Sequence, residues 1–255
     1  MSVSVSSSQL EHYNALLSQL EPQQIIQWAV LTFPNLFQTT AFGLTGLVST
    51  DMISKLDQSR DRHAVDLIFL DTLYHFDETL ELVDRVQKKY PSAKIHRFKP
   101  EGFESRDAFE QLYGKSLYDT NDDLYDYLVK VEPSQRAYKE LDVVAVLTGR
   151  RKSQGEARDS LKIVEIEPET NLIKINPLAN WSFAQVKAYI DENDVPYNSL
   201  LDKGYRSVGD FHSTVPVKEG ENERAGRWKG KQKTECGIHQ QSRFAQFTGV
   251  NVKAV

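Results

Sequence analysis

Two near-continuous apolar runs constrain this fold more than any other feature: Val65 to Leu70, and the Val-Val-Ala-Val-Leu that follows Asp142 and ends at Leu147. A strand that is apolar on both faces must be covered on both, which is the condition of the interior of a parallel sheet. The first run ends in Asp71-Thr72 and is followed by a helical pattern from Asp77 to Lys89, with Leu80, Leu82, Val83 and Val86 on its apolar side; Tyr90-Pro91 stops it and Lys94 to Phe98 reads as the next strand. Upstream, Leu36 to Phe42 reads as a strand that runs through Gly43 into a helix over Leu44 to Leu56. Strand–helix–strand alternation implies right-handed crossovers, so the expected class is α/β, with a twisted, mostly parallel sheet flanked by helices. In such sheets ligands sit beyond the strand C-termini, where Thr39 to Gly43 and Asp71-Thr72 fall.

The flanking segments read as packing elements. Leu10, Leu16, Leu17 and Leu20 predict a first helix, and Pro22 suits the first turn of a second one bearing Ile25, Ile26, Trp28, Ala29 and Val30. Glu101 to Asp142 is mostly helical and acidic, with an aromatic face that includes Tyr113, Tyr118, Tyr125 and Tyr127; its last helix is expected over Ser134 to Leu141. Ile163 to Ile166 and Leu172 to Ile175 predict a hairpin, and Ser182 caps a helix over Phe183 to Asn193. Past Thr214 the chain is hydrophilic, with glycines at 220, 226 and 230, and reads as a mobile tail.

Three stretches carry chemistry. Thr39-Thr40-Ala41-Phe42-Gly43 joins a strand to a helix with small side chains, hydroxyls and a glycine, the layout of an anion cradle, although it matches neither a Walker loop nor a dinucleotide fingerprint. Gly149 to Arg158 follows the most apolar strand with four cations, Arg150, Arg151, Lys152 and Arg158; a guanidinium fork matches sulfate and phosphate oxygens in a bidentate way. Third, the only cysteine of the 255 residues, Cys236, follows a stretch from Arg224 to Lys233 that has five cations and no acid. Positive charge favours the thiolate, and a thiolate is a nucleophile. One cysteine cannot form an internal disulfide, which suits a reducing, cytoplasmic setting, and it cannot supply a four-cysteine cluster. Any redox step therefore needs a thiol from elsewhere. No tight ligand spacing links Asp210, His212, Cys236 and His239 into a metal site. The net charge of −5 gives no reason to expect a general nucleic-acid or membrane binder, no apolar run reaches membrane-span length, and Met1 to Leu10 lacks a secretory signal.

Together these segments resemble the phosphoadenosine phosphosulfate reductase family. Glu235-Cys236-Gly237-Ile238-His239 resembles its terminal Glu-Cys-Gly-Leu-His signature, and Leu70-Asp71-Thr72 with Phe76 and Glu78-Thr79 resembles its Leu-Asp-Thr-Gly…Phe-Pro-Glu-Thr box. Gly149 to Arg158 resembles its arginine loop, while Lys130-Val131-Glu132-Pro133 and Tyr205 to His212, with Ser207-Val208-Gly209-Asp210, match two further boxes. The resemblance spans Leu36 to His239 and is strongest to the fungal and enteric type. It implies an adenine-nucleotide α-hydrolase-like fold, with N-terminal helices over 1–34, a nucleotide-binding reductase domain over 35–215 and a catalytic tail over 216–255. Adenylating relatives carry a Ser-Gly-Gly-x-Asp-Ser loop; the matching stretch here lacks the second glycine and the aspartate, as suits an enzyme that need not cleave ATP. Sister enzymes that reduce adenosine phosphosulfate carry cluster-binding cysteine pairs, the first of which matches Tyr125 and Asp126 here, so the resemblance points to the cluster-free branch.

The implied reaction is thioredoxin-dependent reduction of 3′-phosphoadenylyl sulfate to sulfite and adenosine 3′,5′-bisphosphate through a thiosulfonate on Cys236, a step of sulfate assimilation toward cysteine and methionine, in a homodimer. The implied binding residues are Thr39, Thr40, Ala41, Phe42 and Gly43 for the sulfate end, Leu70, Asp71 and Thr72 for the nucleotide, and Lys130, Gly149, Arg150, Arg151, Gln154, Arg158, Arg224, Arg227, Trp228 and Lys229 around the anion; His239 orients the sulfate or favours the thiolate, and Trp228 recognises thioredoxin or packs. An adenylating α-hydrolase and a non-catalytic nucleotide sensor are the alternative classes.

Overall fold

In the computed structural model of the chain the described residues are 5–56, 65–168, 170–230, 233, 235–239 and 241–247. Six strands, β1 (Leu36–Thr40), β2 (Asp66–Leu70), β3 (Ile95–Phe98), β4 (Ala145–Leu147), β5 (Val164–Ile166) and β6 (Ile173–Ile175), form one sheet in the order β3-β2-β1-β4-β6-β5. All pairings are parallel except β5 with β6, the predicted hairpin. The near-continuous apolar run explains β2: Leu67 and Phe69 face the main core, while Ile68 and Leu70 face a second cluster with Phe98 and Ala137. Sequential strands run outward from β1 through β2 to β3, whereas β4 returns to the other side of β1 with Leu36 opposite Ala145. That reversal leaves a crevice beyond the C-terminal ends of β1 and β4, the place where doubly wound sheets bind ligands.

The helices follow the expected apolar stripes. Helix α1 (Ser7–Leu17) and α2 (Pro22–Thr32, with Pro22 in its first turn) bury Leu17, Ile25, Ile26 and Ala29 in the main core. Asn14 of α1 pairs with both backbone groups of Val164 at 2.9 and 3.0 Å, which blunts edge strand β5. Helices α3 (Leu44–Leu56) and α4 (Asp77–Lys89) cross over between successive strands. In α4, Asp77 and Glu78 stand in the first turn and Lys88 and Lys89 in the last, matching the macrodipole, while Leu82 and Val86 are buried. Between β3 and β4 lie α5 (Arg106–Tyr113), α6 (Leu117–Thr120), α7 (Asp122–Asp126) and α8 (Glu132–Glu140). After β6, α9 (Phe183–Glu192) starts with a Ser182/Gln185 capping box. No helix among the described residues is long and apolar enough to cross a membrane.

Three local departures from the sequence reading shape the site. Strand β1 stops at Thr40, because the Thr40 hydroxyl accepts the Phe42 N–H at 2.9 Å and Phe42 turns to a φ of 55°. Helix α8 starts at Glu132, earlier than read, and is preceded by a π-helical turn over Tyr127–Val131 that carries Lys130. The tail, expected as a mobile arm, is docked in this structure: Thr214 bridges to Arg227, and Trp228, Glu235 and Phe244 are buried.

Candidate active site

The ends of β1, β2 and β4 open into a cavity of about 260 Å³. Its floor is the β1–α3 turn, where Thr39, Thr40, Ala41, Phe42 and Gly43 all line the space. The left-handed φ of Phe42 is costly for a bulky residue, and such outliers gather at functional sites. Leu73, at the end of β2, and Trp228, in the tail, share it with φ values of 67° and 49°. Thr39 Oγ1 lies 3.1 Å from the Tyr138 hydroxyl, whose pKa burial pushes up to about 12, so this phenol stays neutral beside the cradle.

At the end of β2, Leu70 and Thr72 line the cavity but Asp71 does not. Its carboxylate turns to Arg97, at 2.9 Å from Nε and 2.7 Å from Nη2, and accepts the Leu73 N–H at 3.0 Å. Asp71 therefore braces the turn, while Thr72 faces inward and donates to Asp210 Oδ1 at 2.6 Å. Asp210 comes from the Ser207-Val208-Gly209-Asp210 box, which the backbone bridge between His75 and Asp210 draws against the β2 end. A Cβ at Gly209 would lie 2.3 Å from Nη2 of Arg227, so a larger residue there would push that guanidinium aside.

Lys130 is held in the cavity wall by Asp210 at 2.7 Å and Asp126 at 3.0 Å. Burial opposes its charge, but Asp126, Asp210 and Cys236 outweigh burial and raise its pKa above the ordinary lysine value. The same contact works in reverse on Asp210: burial would raise it, yet Lys130 and His75 hold it far below the usual carboxylate range. Asp126 also accepts Lys233 at 2.6 Å and the backbone N–H of Gly237 at 3.3 Å, so one buried carboxylate grips the tail on both sides of Cys236.

The arginine loop is the least expected part. Gly149, Arg150, Arg151, Gln154 and Arg158 line the cavity as predicted, but each guanidinium already has a carboxylate. Arg150 meets Glu165 at 2.5 Å; Arg151 forms a bidentate pair with Glu223 at 2.6 and 2.7 Å; Arg158 grips both oxygens of Glu235, one at 2.8 Å, and Gln154. Arg151 further donates to Thr45 Oγ1 at 2.9 Å and the Trp181 carbonyl at 3.2 Å. Burial pushes Glu223 up and Arg151 down, so their desolvation outweighs their attraction. Glu235 is the opposite case, since Arg158 and Arg224 outweigh burial and hold it low.

The tail closes the cavity with Arg224, Arg227, Trp228, Glu235 and Cys236. The buried Trp228 ring has Arg227, Lys233 and Arg224 over it at 4.5, 5.5 and 5.6 Å, a cation–π cluster. Cys236 is half-buried and within electrostatic reach of Lys130, Arg224 and Arg227. Lys229 is exposed and outside the lining, and the side chain of His239 lies outside the described residues. Sequence reasoning missed Tyr138, Asp126, Glu223 and Glu235 as site residues. Only the Glu-Cys-Gly signature and the acids flanking the tail cations hinted at them.

Among the described residues no group of three or more His, Cys, Asp or Glu is arranged to hold a metal. Residues 35–216 match the phosphoadenosine phosphosulfate reductase domain family. The chain is 61% identical over 247 residues to the phosphoadenosine phosphosulfate reductase of Saccharomyces cerevisiae, covering 95% of this chain and 94% of the yeast protein. Among solved structures it is similar to the phosphoadenylyl-sulfate reductase of Candida auris in a phosphate complex, at 58% identity and a TM-score of 0.77 over 84% of this chain and 100% of that one. The fold alone is shared with the FMN adenylyltransferase of Candida glabrata, at 14% identity and a TM-score of 0.54 over 98% of this chain and 87% of that one.

Proposed function

This chain belongs to the phosphoadenosine phosphosulfate reductase family, and from that premise we propose that it reduces 3′-phosphoadenylyl sulfate to sulfite and adenosine 3′,5′-bisphosphate, with Cys236 as nucleophile and a thioredoxin-class dithiol as electron donor. One observation carries the reading: the only thiol of the chain lines a cation-rich cavity at the strand ends. Residues 35–215 bind the nucleotide, the tail over 216–255 delivers the thiol, and the helices over 1–34 support the sheet. The setting is the cytoplasm, in sulfate assimilation, and the assembly is a homodimer.

The Cys236 thiolate attacks the sulfate sulfur. An S–S bond forms, the bond from sulfur to the bridging oxygen breaks, and adenosine 3′,5′-bisphosphate leaves with the electron pair. The enzyme then holds a thiosulfonate on Cys236. A donor thiolate attacks the Cys236 sulfur, sulfite departs with the electron pair of the old S–S bond, and the second donor thiol resolves the mixed disulfide. The two electrons come from the donor, because the chain has no second cysteine to close a disulfide.

Bringing a thiolate to a polyanion is the main barrier. Arg227, with no carboxylate within ion-pair distance among the described residues, offsets that repulsion, and losing one such preorganised group typically costs about 3 kcal/mol, while Lys130, neutralised by Asp126 and Asp210, fixes the wall beside Cys236. Thr39 to Gly43 and the neutral Tyr138 hydroxyl hold the sulfate end. The test is incubation with 3′-phosphoadenylyl sulfate and no thiol donor, followed by intact-mass analysis. A gain of one sulfonate group on the native protein, absent in Cys236→Ser, is expected; an unchanged mass with nucleotide demonstrably bound sinks the mechanism.

A further inference from the structure

Among the described residues eight cationic side chains line the cavity, but six of them have a carboxylate within ion-pair distance. The two without one among the described residues are Arg206 and Arg227. Net attraction for a polyanionic ligand therefore concentrates on these two side chains, since a charge already paired adds little new field.

The two have different neighbours. Arg227 belongs to the Cys236 end: its guanidinium lies 4.5 Å from the Trp228 ring centroid, donates to the Val208 carbonyl at 3.3 Å, and feels the Cys236 charge. Arg206 instead borders the start of α9. Its guanidinium lies 5.6 Å from the ring centroid of Phe183, the first residue of α9. Two residues before Phe183, the Trp181 carbonyl accepts Arg151, which also holds Thr45 in the first turn of α3. The loop beneath Arg206 is fixed, because Tyr205 packs edge-on to Phe76 at 5.7 Å and the Gly204 carbonyl accepts the Val217 N–H at 3.0 Å. A guanidinium parked on an aromatic ring keeps its in-plane N–H donors open for an oxyanion.

We propose that Arg206 is the specificity-determining cation that reads the phosphate remote from the reacting sulfur, the 3′-phosphate, and so separates 3′-phosphorylated from unphosphorylated adenylyl sulfates. The inference rests on the substrate class proposed above and adds a residue that the motif resemblance left without a role. Arg227 serves the sulfur end and Arg206 the recognition end, so the two unpaired charges match the two ends of the ligand.

The experiment is calorimetric titration of adenosine 3′,5′-bisphosphate and of AMP into native protein, Arg206→Gln, Arg206→Lys and Arg227→Gln. A charge-assisted contact of this kind is worth roughly ten- to a hundredfold in affinity. In Arg206→Gln the preference for the bisphosphate over AMP should fall by at least about tenfold, Arg206→Lys should restore part of it, and Arg227→Gln should keep the native ratio. If Arg206→Gln binds the two nucleotides in the native ratio, the assignment is wrong while the proposed function stands. If native protein has no preference for the bisphosphate, both fail. A melting temperature near native for Arg206→Lys shows that the loop has kept its fold; if Arg206→Gln does not fold, Arg206→Met, which keeps a long side chain over Phe183 without the charge, is read by the same criteria, and a native ratio in it overturns the assignment.

Discussion

Replacing Glu223 with glutamine should release the tail from the arginine loop. Arg151 is about as buried as a guanidinium can be, with 1% of its side chain exposed, and among the described residues Glu223 is its only carboxylate partner, engaged at 2.6 and 2.7 Å. Glutamine is the same size and can still accept one N–H, but it leaves a buried positive charge uncompensated. Removing one partner of a buried pair costs about 3–5 kcal/mol, and the retained hydrogen bond places this case near 3. For a chain of this length that corresponds to a fall in melting temperature of roughly 6–12 °C. The loss has a ceiling, because undocking the tail would let water reach Arg151 and cap the penalty at the undocking free energy. Two readouts therefore belong together: thermal unfolding, and the rate at which an alkylating reagent modifies Cys236. The pair's own worth comes from a cycle of Arg151→Met, Glu223→Leu and the double variant Arg151→Met/Glu223→Leu. Burial pushes the two members of the pair in the directions that disfavour their charges, so the double variant should recover most of the stability lost in Glu223→Gln. A Glu223→Gln protein that melts within about 2 °C of native and alkylates no faster would refute the idea that this pair staples the tail.

Two further outcomes follow from the same geometry. Asp210 and Glu235 have carboxyls held below the ordinary range, Asp210 by Lys130 and Glu235 by Arg158, both against burial. A depressed carboxyl contributes stability above its unfolded value of about 4 and loses it as the pH falls toward the folded value, so urea midpoints should drop on acidification below about pH 4, and Asp210→Asn should flatten that limb while lowering stability at neutral pH. Gly237→Ala would place a Cβ 2.4 Å from the Phe244 ring and 2.9 Å from Val131, within reach of the thiol; it should cost about 1–3 kcal/mol by overpacking and lower sulfite release, and a variant with native stability and turnover would show that the tail tolerates displacement there.

Much of the scaffold was legible in the chain. Two near-continuous apolar runs demanded a sheet buried on both faces, and strand–helix alternation set its parallel sense and put the Thr39–Gly43 turn, the Asp71-Thr72 pair and the arginine loop at one rim. These are local signals: periodicity, runs and turns act over a few residues, and the physics that reads them is also local. The boundaries slipped where a side chain intervened, as when the Thr40 hydroxyl captured the Phe42 N–H and ended β1 early.

Which charges remain available was settled only by tertiary structure. The sequence determined a cation-rich rim and a lone thiol, and both are in the cavity. It could not reveal that Arg151 answers Glu223, 72 residues away, or that Arg158 answers Glu235, 77 residues away. Nor could it reveal that Asp71 turns outward to Arg97 while Lys130 is shared by Asp126 and Asp210. Residue type fixes what charge a side chain carries, but its partner depends on which distant segments the packed core brings within a few ångströms. Burial then makes those pairings strong enough to decide which cations are left for a ligand.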